Sequence, residues 1–276
     1  MNGHFVKMQG AGNDFILIDN RRGIWPLDAL HLRRWCDRRL GVGADQLLVL
    51  EETRRPDADF RYRIFNADGG EVEQCGNGAR CMTRWVLERI FPGECVRFET
   101  MRAVIRGSIG KDGLVSVEMG MPILEADDLP FRTDGLSYCG GAWRGFGLSG
   151  TDELCVLAVG NPHAVRFGPM PEDEVFRRTG ERLQDHPAFP EGINFECVCP
   201  RSDSEADFRV WERGVGETPA CGSGACAAAV AGMLTGRFGR TVTFHTRGGI
   251  LRVRRPDPDG PVFLEGPAEY VFEGDL

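Results

Sequence analysis

Short segments in which apolar and polar side chains alternate make up most of this chain. In residues 60–65, for example, Phe60, Tyr62 and Ile64 alternate with arginines, the pattern of a strand with one buried face. By the same criterion the sequence predicts strands at 4–8, 15–19, 46–51, 60–65, 96–109, 114–119, 154–159, 194–199, 206–212, 240–246, 249–255, 261–265 and 268–273.

Helices are predicted where the apolar spacing changes, at 27–40, 77–90, 172–185 and 223–235. In the first of them Leu30, Trp35 and Leu40 are available for burial. The segment 223–235 is apolar nearly all round, so a sheet is expected to wrap it. The predicted fold class is therefore α/β (α+β), with a mostly antiparallel sheet around one apolar helix in each half of the chain.

The two halves share one long repeat. Asn66–Cys81 reads N-A-D-G-G-E-V-E-Q-C-G-N-G-A-R-C, Glu212–Cys226 reads E-R-G-V-G-E-T-P-A-C-G-S-G-A-C, and both run into a predicted helix. Cys75 and Cys221 are 146 positions apart. The same offset relates Arg63 to Arg209, Glu71 to Glu217 and Gly76 to Gly222. A chain that builds the same cysteine-bearing turn twice is predicted to use the two cysteines together.

Length and repeat both predict two domains. The 276 residues exceed what one core usually holds. We place the domains at 1–121 and 122–266, with the last strand, about 267–276, able to return to the first. The stretch 122–150, rich in Gly, Pro and Asp, is the predicted linker, although strands can cross it.

Composition and charge narrow the function. A net charge of −8 argues against nucleic-acid binding, which needs a basic face. No apolar run is long enough to span a membrane, and the N-terminus has no signal-peptide features. Ten cysteines without a secretion signal indicate reduced thiols and a cytoplasmic location.

The cysteine turns predict a specific chemistry. A Cys-Gly-x-Gly sequence at a helix start presents unbonded amides and partial positive charge, which bind an anion and stabilise a thiolate. Two such turns around an amino-acid carboxylate would place one thiol on each face of the α-carbon. A thiolate and a thiol could then invert that centre, with the amides stabilising the developing charge.

Other chemistries fit the sequence less well. Pyridoxal phosphate needs a lysine, and the chain has only Lys7 and Lys111, so no cofactor is expected. There is no Cys-x-x-Cys pair for zinc, and no metal is predicted. The glycine turns lack a nucleotide-binding fingerprint.

A family resemblance now becomes visible. The segments M-Q-G-A-G-N-D-F, G-V-G-A-D-Q, G-N-P-H, the two cysteine motifs and the terminal G-P-A resemble diaminopimelate epimerase, in order and along nearly the whole chain. The resemblance implies interconversion of LL- and meso-diaminopimelate without a cofactor, on the route to lysine and peptidoglycan. It also implies two pseudo-symmetric domains, an active site in the interdomain cleft, a small-molecule substrate and a homodimer.

The resemblance also implies roles for individual residues. The acid/base pair falls on Cys75 and Cys221, and a transition-state or orienting role on His163 and Glu212. The implied substrate-binding residues are Asn13, Gln46, Asn66, Gly76, Asn77, Asn161, Asn194, Glu212, Arg213, Gly222 and Ser223. Two departures stand out, because Gln9 replaces a frequent His and Met101-Arg102-Ala103 replaces a small, glycine-containing turn.

Three alternatives remain open at this point. A proline or hydroxyproline racemase also uses paired cysteines, but such enzymes carry His at the position of Asn77. A redox sensor would join Cys75 and Cys221 in a reversible disulfide. A binding module would hold an amino acid without exchanging its α-hydrogen.

Overall fold

A computed structural model describes residues 3–73, 75–134, 136–144 and 153–276 of the chain. These residues form two compact units, the first comprising 1–118 and 265–276 and the second 119–264. Within the described ranges, no helix is both long enough and apolar enough to cross a membrane.

The first unit is a sheet-rich layer around one buried helix. Its elements in chain order are β1 (His4–Gly10), β2 (Asn13–Asp19), α1 (Ala29–Cys36), β3 (Gln46–Glu51), β4 (Phe60–Asn66), β5 (Glu71–Val72), α2 (Gly76–Arg89), β6 (Cys95–Glu99), β7 (Val104–Ile109) and β8 (Val115–Glu118), with β19 (Glu269–Asp275) at the end of the chain. Strand β19 pairs antiparallel with β1, so the last strand of the chain belongs to this sheet.

The second unit repeats this order. Its elements are a 3₁₀ turn (Ala126–Asp128), β9 (Ser137–Cys139), β10 (Ala142–Arg144), β11 (Glu153–Val159), β12 (Asn161–Phe167), α3 (Asp173–Gln184), β13 (Asn194–Pro200), β14 (Glu205–Glu212), β15 (Gly216–Thr218), α4 (Gly222–Leu234), β16 (Thr241–Thr246), β17 (Gly249–Arg254) and β18 (Phe263–Gly266), whose last two residues belong to the first unit.

The strand pairings establish the repeat independently of the sequence. In the first unit β2 and β3 run parallel, β3 and β4 antiparallel, and β4 pairs both with short β5 and parallel with β6. In the second unit β12, β13, β14, β15 and β16 pair in the same pattern. The predicted fold class, a mostly antiparallel sheet around an apolar helix in two similar halves, is confirmed.

Each sheet wraps its cysteine-bearing helix. Residues 76–83 of α2 are all buried, and so are residues 224–232 of α4, where alanines and glycines let strands approach closely. The other helix of each unit, α1 or α3, packs on the opposite face of its sheet. Leu32 of α1 lies against Ile16 and Val49, while Phe176 of α3 lies against Phe195.

Three local expectations from the sequence were wrong. The first helix is shorter than 27–40, because the Asp28 side chain caps it at Leu30 and His31. Leu30 and Leu40 are exposed, and the buried residues of α1 are Leu32 and Cys36. The single strand 96–109 is a hairpin of β6 and β7.

Two further segments differ from their predictions. Residues 161–167 are a strand, β12, where the sequence pattern predicted none. The stretch 122–150, predicted as a linker, places Phe131 in the core of the second unit beside Phe189, with ring centroids 5.3 Å apart. Residues 135 and 145–150 of that stretch lie outside the described residues.

Candidate active site

Both repeated cysteines are the N-cap residues of their helices. Cys75 precedes α2 with φ −145° and ψ 108°, and Cys221 precedes α4 with φ −123° and ψ 119°. In each unit the preceding strand, β5 or β15, hairpins back on the long strand before it. The local geometry is therefore that of a ready anion site, because the amides of the first helical turn have no partners within the helix.

Around Cys75 the helix start is close to polar groups of the sheet. The Gly78 amide donates to the Cys75 sulfur at 3.4 Å, an interaction that favours a thiolate over a thiol. A Cβ added at Gly78 would lie 2.7 Å from the Tyr62 hydroxyl oxygen, so only glycine fits there. Burial raises the pKa of Tyr62 well above its usual value, and the nearby Cys75 sulfur adds to that shift.

Cys221 has a different environment. It is 6% exposed, and its sulfur lies 3.4 Å from the Ser223 hydroxyl oxygen. Burial raises the pKa of the Cys221 thiol well above its usual value, and the negative charge of Glu212 raises it further. The Ser223 hydroxyl and the Gly224 amide oppose this shift without cancelling it. The surroundings of Cys221 therefore favour its thiol over its thiolate.

In the first unit, the predicted substrate-binding amides are joined in two pairs. The Asn77 amide nitrogen donates to Asn13 Oδ1 at 2.6 Å, and Asn13 in turn donates to Asp45 at 3.2 Å. Gln46 and Asn66 lie directly opposite each other on β3 and β4, and Gln46 donates to Asn66 Oδ1 at 2.8 Å. Each pair fixes the orientation of the amides involved.

In the second unit His163 is fully buried and both its ring nitrogens are engaged. Its Nδ1 lies 2.6 Å from Glu196 Oε1 and its Nε2 lies 2.9 Å from Asn161 Oδ1. His163 therefore lies deeper in the second unit than Asn161, to which it is hydrogen-bonded. Burial raises the pKa of the Glu196 carboxyl, while its contact with His163 opposes that shift.

Three more predicted residues of the second unit, Asn194, Arg213 and Glu212, form hydrogen bonds with nearby groups. Asn194 donates to the Pro162 carbonyl at 3.0 Å and accepts from the Arg213 amide at 2.9 Å. The Arg213 guanidinium donates to the Glu191 carbonyl at 3.2 Å. Glu212 accepts a 2.5 Å hydrogen bond from the Thr218 hydroxyl.

Glu196 is the residue that sequence reasoning missed. It lies in β13, a strand whose first five residues are all buried, and the residue has no solvent exposure. A charged residue inside an apolar strand was the available signal, since such residues are almost never buried without a partner. Its partner, His163, is 33 positions away and could not be found from the sequence.

The two departures from the family pattern have local partners. Gln9 donates a hydrogen bond to Glu269, on the strand beside it. In the turn after β6, the Thr100 hydroxyl donates to the Ala103 carbonyl at 2.8 Å. Arg102 of that turn forms an ion pair with Glu73, two residues before Cys75.

Comparison with solved structures defines the fold class. The chain is similar to a phenazine biosynthesis protein of the PhzF family from Bacillus anthracis, with a TM-score of 0.67 and 14% identity over 100% of this chain and 99% of that one. It is also similar to a hydroxyproline epimerase from Agrobacterium vitis, with a TM-score of 0.66 and 14% identity over 100% of this chain and 91% of that one. At such identity the likeness shows a shared fold.

Comparison with sequences identifies the family. The family model for diaminopimelate epimerase matches residues 5–125 and 155–271. The chain is 44% identical to the diaminopimelate epimerase of Azotobacter vinelandii, over 99% of this chain and 98% of that protein. It is 44% identical to that of Variovorax paradoxus, over 99% of this chain and 97% of that protein. The chain belongs to the diaminopimelate epimerase family, a family of isomerases, as its sequence predicted.

Proposed function

We propose that this chain interconverts LL- and meso-diaminopimelate, with Cys75 and Cys221 as the paired acid and base. The observation that carries the proposal is the repeat itself, in which each cysteine is the N-cap residue of a buried helix in the same topological position. Relatives at 44% identity over nearly the full chain are diaminopimelate epimerases, which supports the same substrate.

In this scheme one cysteine starts each turnover as the acid and the other as the base. Cys221, held as a thiol by burial and by the charge of Glu212, donates a proton to the α-carbon. Cys75, whose sulfur accepts from the Gly78 amide, removes a proton from the other face. After one turnover the roles are exchanged, so the reverse reaction uses the same two groups.

Substrate recognition is proposed to follow from the amides and charges already described. The turns Gly76-Asn77 and Gly222-Ser223 bind the carboxylate at the reacting centre through backbone N–H groups. The ammonium and carboxylate groups of the substrate are fixed by the side chains of Asn13, Gln46, Asn66, Asn161 and Asn194. In addition, Glu212 binds an ammonium group and Arg213 binds a carboxylate. We further propose that the domains are those predicted at 1–121 and 122–266, and that the chain acts in the cytoplasm as a homodimer without a cofactor.

Turnover tests the substrate assignment. Purified protein should convert LL-diaminopimelate to the meso isomer and leave both enantiomers of proline unchanged. Racemisation of proline without activity on diaminopimelate would point to the alternative racemase. Binding of diaminopimelate without exchange of its α-hydrogen would point to a binding module or a redox sensor instead.

A further inference from the structure

A chain of three side chains leads from the buried interior of the second unit to Asn161. Glu196 Oε1 lies 2.6 Å from His163 Nδ1, and His163 Nε2 lies 2.9 Å from Asn161 Oδ1. Glu196 and His163 are both fully buried, whereas Asn161 is half-buried at the start of β12. The buried pair therefore makes its next polar contact at a residue that has access to solvent.

The contacts determine where the protons lie. Asn161 Oδ1 is a carbonyl oxygen and can only accept, so His163 Nε2 must carry a hydrogen. One further proton then lies between Nδ1 and Oε1, either on the ring of His163 or on the carboxyl group of Glu196. In both cases the pair is neutral overall, which suits a site without solvent.

This arrangement sets the orientation of the Asn161 amide. Because its oxygen is occupied by His163 Nε2–H, its NH₂ group is the part left to face a ligand. Asn13 is the first residue of β2, as Asn161 is of β12, and it is held in the same sense, since Asn77 donates to Asn13 Oδ1 at 2.6 Å. The side-chain amide of Asn77 thus orients Asn13 in the first unit, and the imidazole of His163 orients Asn161 in the same way in the second.

We propose that Glu196 is a positioning residue which, through His163, fixes Asn161 with its amide nitrogen presented to a carboxylate of the substrate. The inference rests on the proposed function, since it assigns Asn161 to substrate binding. Without Glu196, His163 is free to carry its hydrogen on Nδ1, and Nε2 then becomes an acceptor. The Asn161 amide would turn to donate to it and would present its oxygen to the carboxylate.

A double-mutant cycle tests this dependence. E196A and N161A should each lower kcat/KM for LL-diaminopimelate by about 10- to 100-fold, the worth of one hydrogen bond to a charged group. The double variant should lose no more than either single one, because Glu196 acts through Asn161. E205Q is the matched control, since it alters another His–Glu pair of the same unit, His245–Glu205, and should leave activity unchanged.

The outcomes separate this inference from the proposed function. If the wild-type protein fails to turn over diaminopimelate, the proposed function is wrong. If the wild type is active and E196A is as active, or if the losses in the double variant add, Glu196 does not act through Asn161 and the inference is overturned.

A measurement on the wild-type protein needs no variant of Glu196 to fold. Nitrogen NMR of ¹⁵N-histidine-labelled protein, with the His163 signals identified by their absence in H163Q, reports which ring nitrogen carries hydrogen. We expect His163 Nε2 to be protonated. An unprotonated Nε2 would overturn the inference, because Asn161 Oδ1 would then have no donor.

Discussion

Arg209 holds Glu217 by two parallel hydrogen bonds, 2.9 Å from Nε to Oε1 and 3.0 Å from Nη2 to Oε2. Arg63 holds Glu71 in the same way, at 2.8 and 2.7 Å. Each glutamate lies four positions before a repeated cysteine, on the short strand that leads into it. The repeat thus preserves the cysteine turn together with a bidentate pair that fixes the approach to it.

Replacing Arg63 or Arg209 should shift the position of the following cysteine thiol more than it lowers the stability of the fold. Lysine cannot reproduce the planar two-bond contact, so R63K and R209K are expected to lower kcat by about tenfold through misplacement of the cysteine. R201K is the matched control, because Arg201 makes a similar two-bond contact to Asp207 elsewhere in the second unit. Unchanged kcat in both test variants would show that the pairs do not position the turns.

A side chain at the third residue after each cysteine should displace a buried neighbour. A Cβ at Gly224 would lie 2.7 Å from Glu196 Oε1, and one at Gly78 would lie 2.7 Å from the Tyr62 hydroxyl oxygen. G78A and G224A are therefore expected to destabilise the protein by about 1–3 kcal/mol, measured by urea unfolding. G93A is the control, since the nearest atom to its Cβ is 3.8 Å away. Wild-type unfolding midpoints in both turn variants would contradict the close approach.

The sequence could predict those parts of the site that are encoded within a few neighbouring residues. The cysteine turns were predictable, because a long repeat with glycines after each cysteine is unambiguous within a few residues. Strand β12 was not, because Asn161-Pro162 is typical of a turn, yet β12 is held on both sides by β11 and β13. The Glu196–His163 contact joins neighbouring strands through a long connection, and no local pattern encodes such a pairing.

The exposed Leu30 and Leu40 show a related limit. Leu30 and Leu40 fit a helical apolar stripe, but the helix begins only after Asp28 and ends at Cys36. The residues that face the sheet are then Leu32 and Cys36. An error of a few residues at a helix boundary therefore changes which side chains are predicted to be buried.

The rate at which Cys221 is alkylated should rise with pH, because its surroundings raise the pKa of its thiol. Because burial and Glu212 raise the pKa of its thiol, the thiolate forms only at alkaline pH, and alkylation by iodoacetamide should accelerate between pH 7 and 9. S223A removes a hydroxyl that favours the thiolate and should slow alkylation at a given pH, whereas E212Q should accelerate it. Mass spectrometry of the Cys221 peptide provides the rate. A rate independent of pH, or a faster S223A variant, would contradict this environment.

The central claim is that two cysteines act on opposite faces of one carbon, and isotope incorporation in D₂O tests it most directly. Starting from LL-diaminopimelate, the first meso product should carry deuterium at the inverted carbon while the remaining LL substrate is still unlabelled. C75A and C221A should each lower turnover by at least about 10²-fold, the contribution of one positioned acid or base. Equal early labelling of substrate and product, or full activity in either variant, would contradict the two-base account.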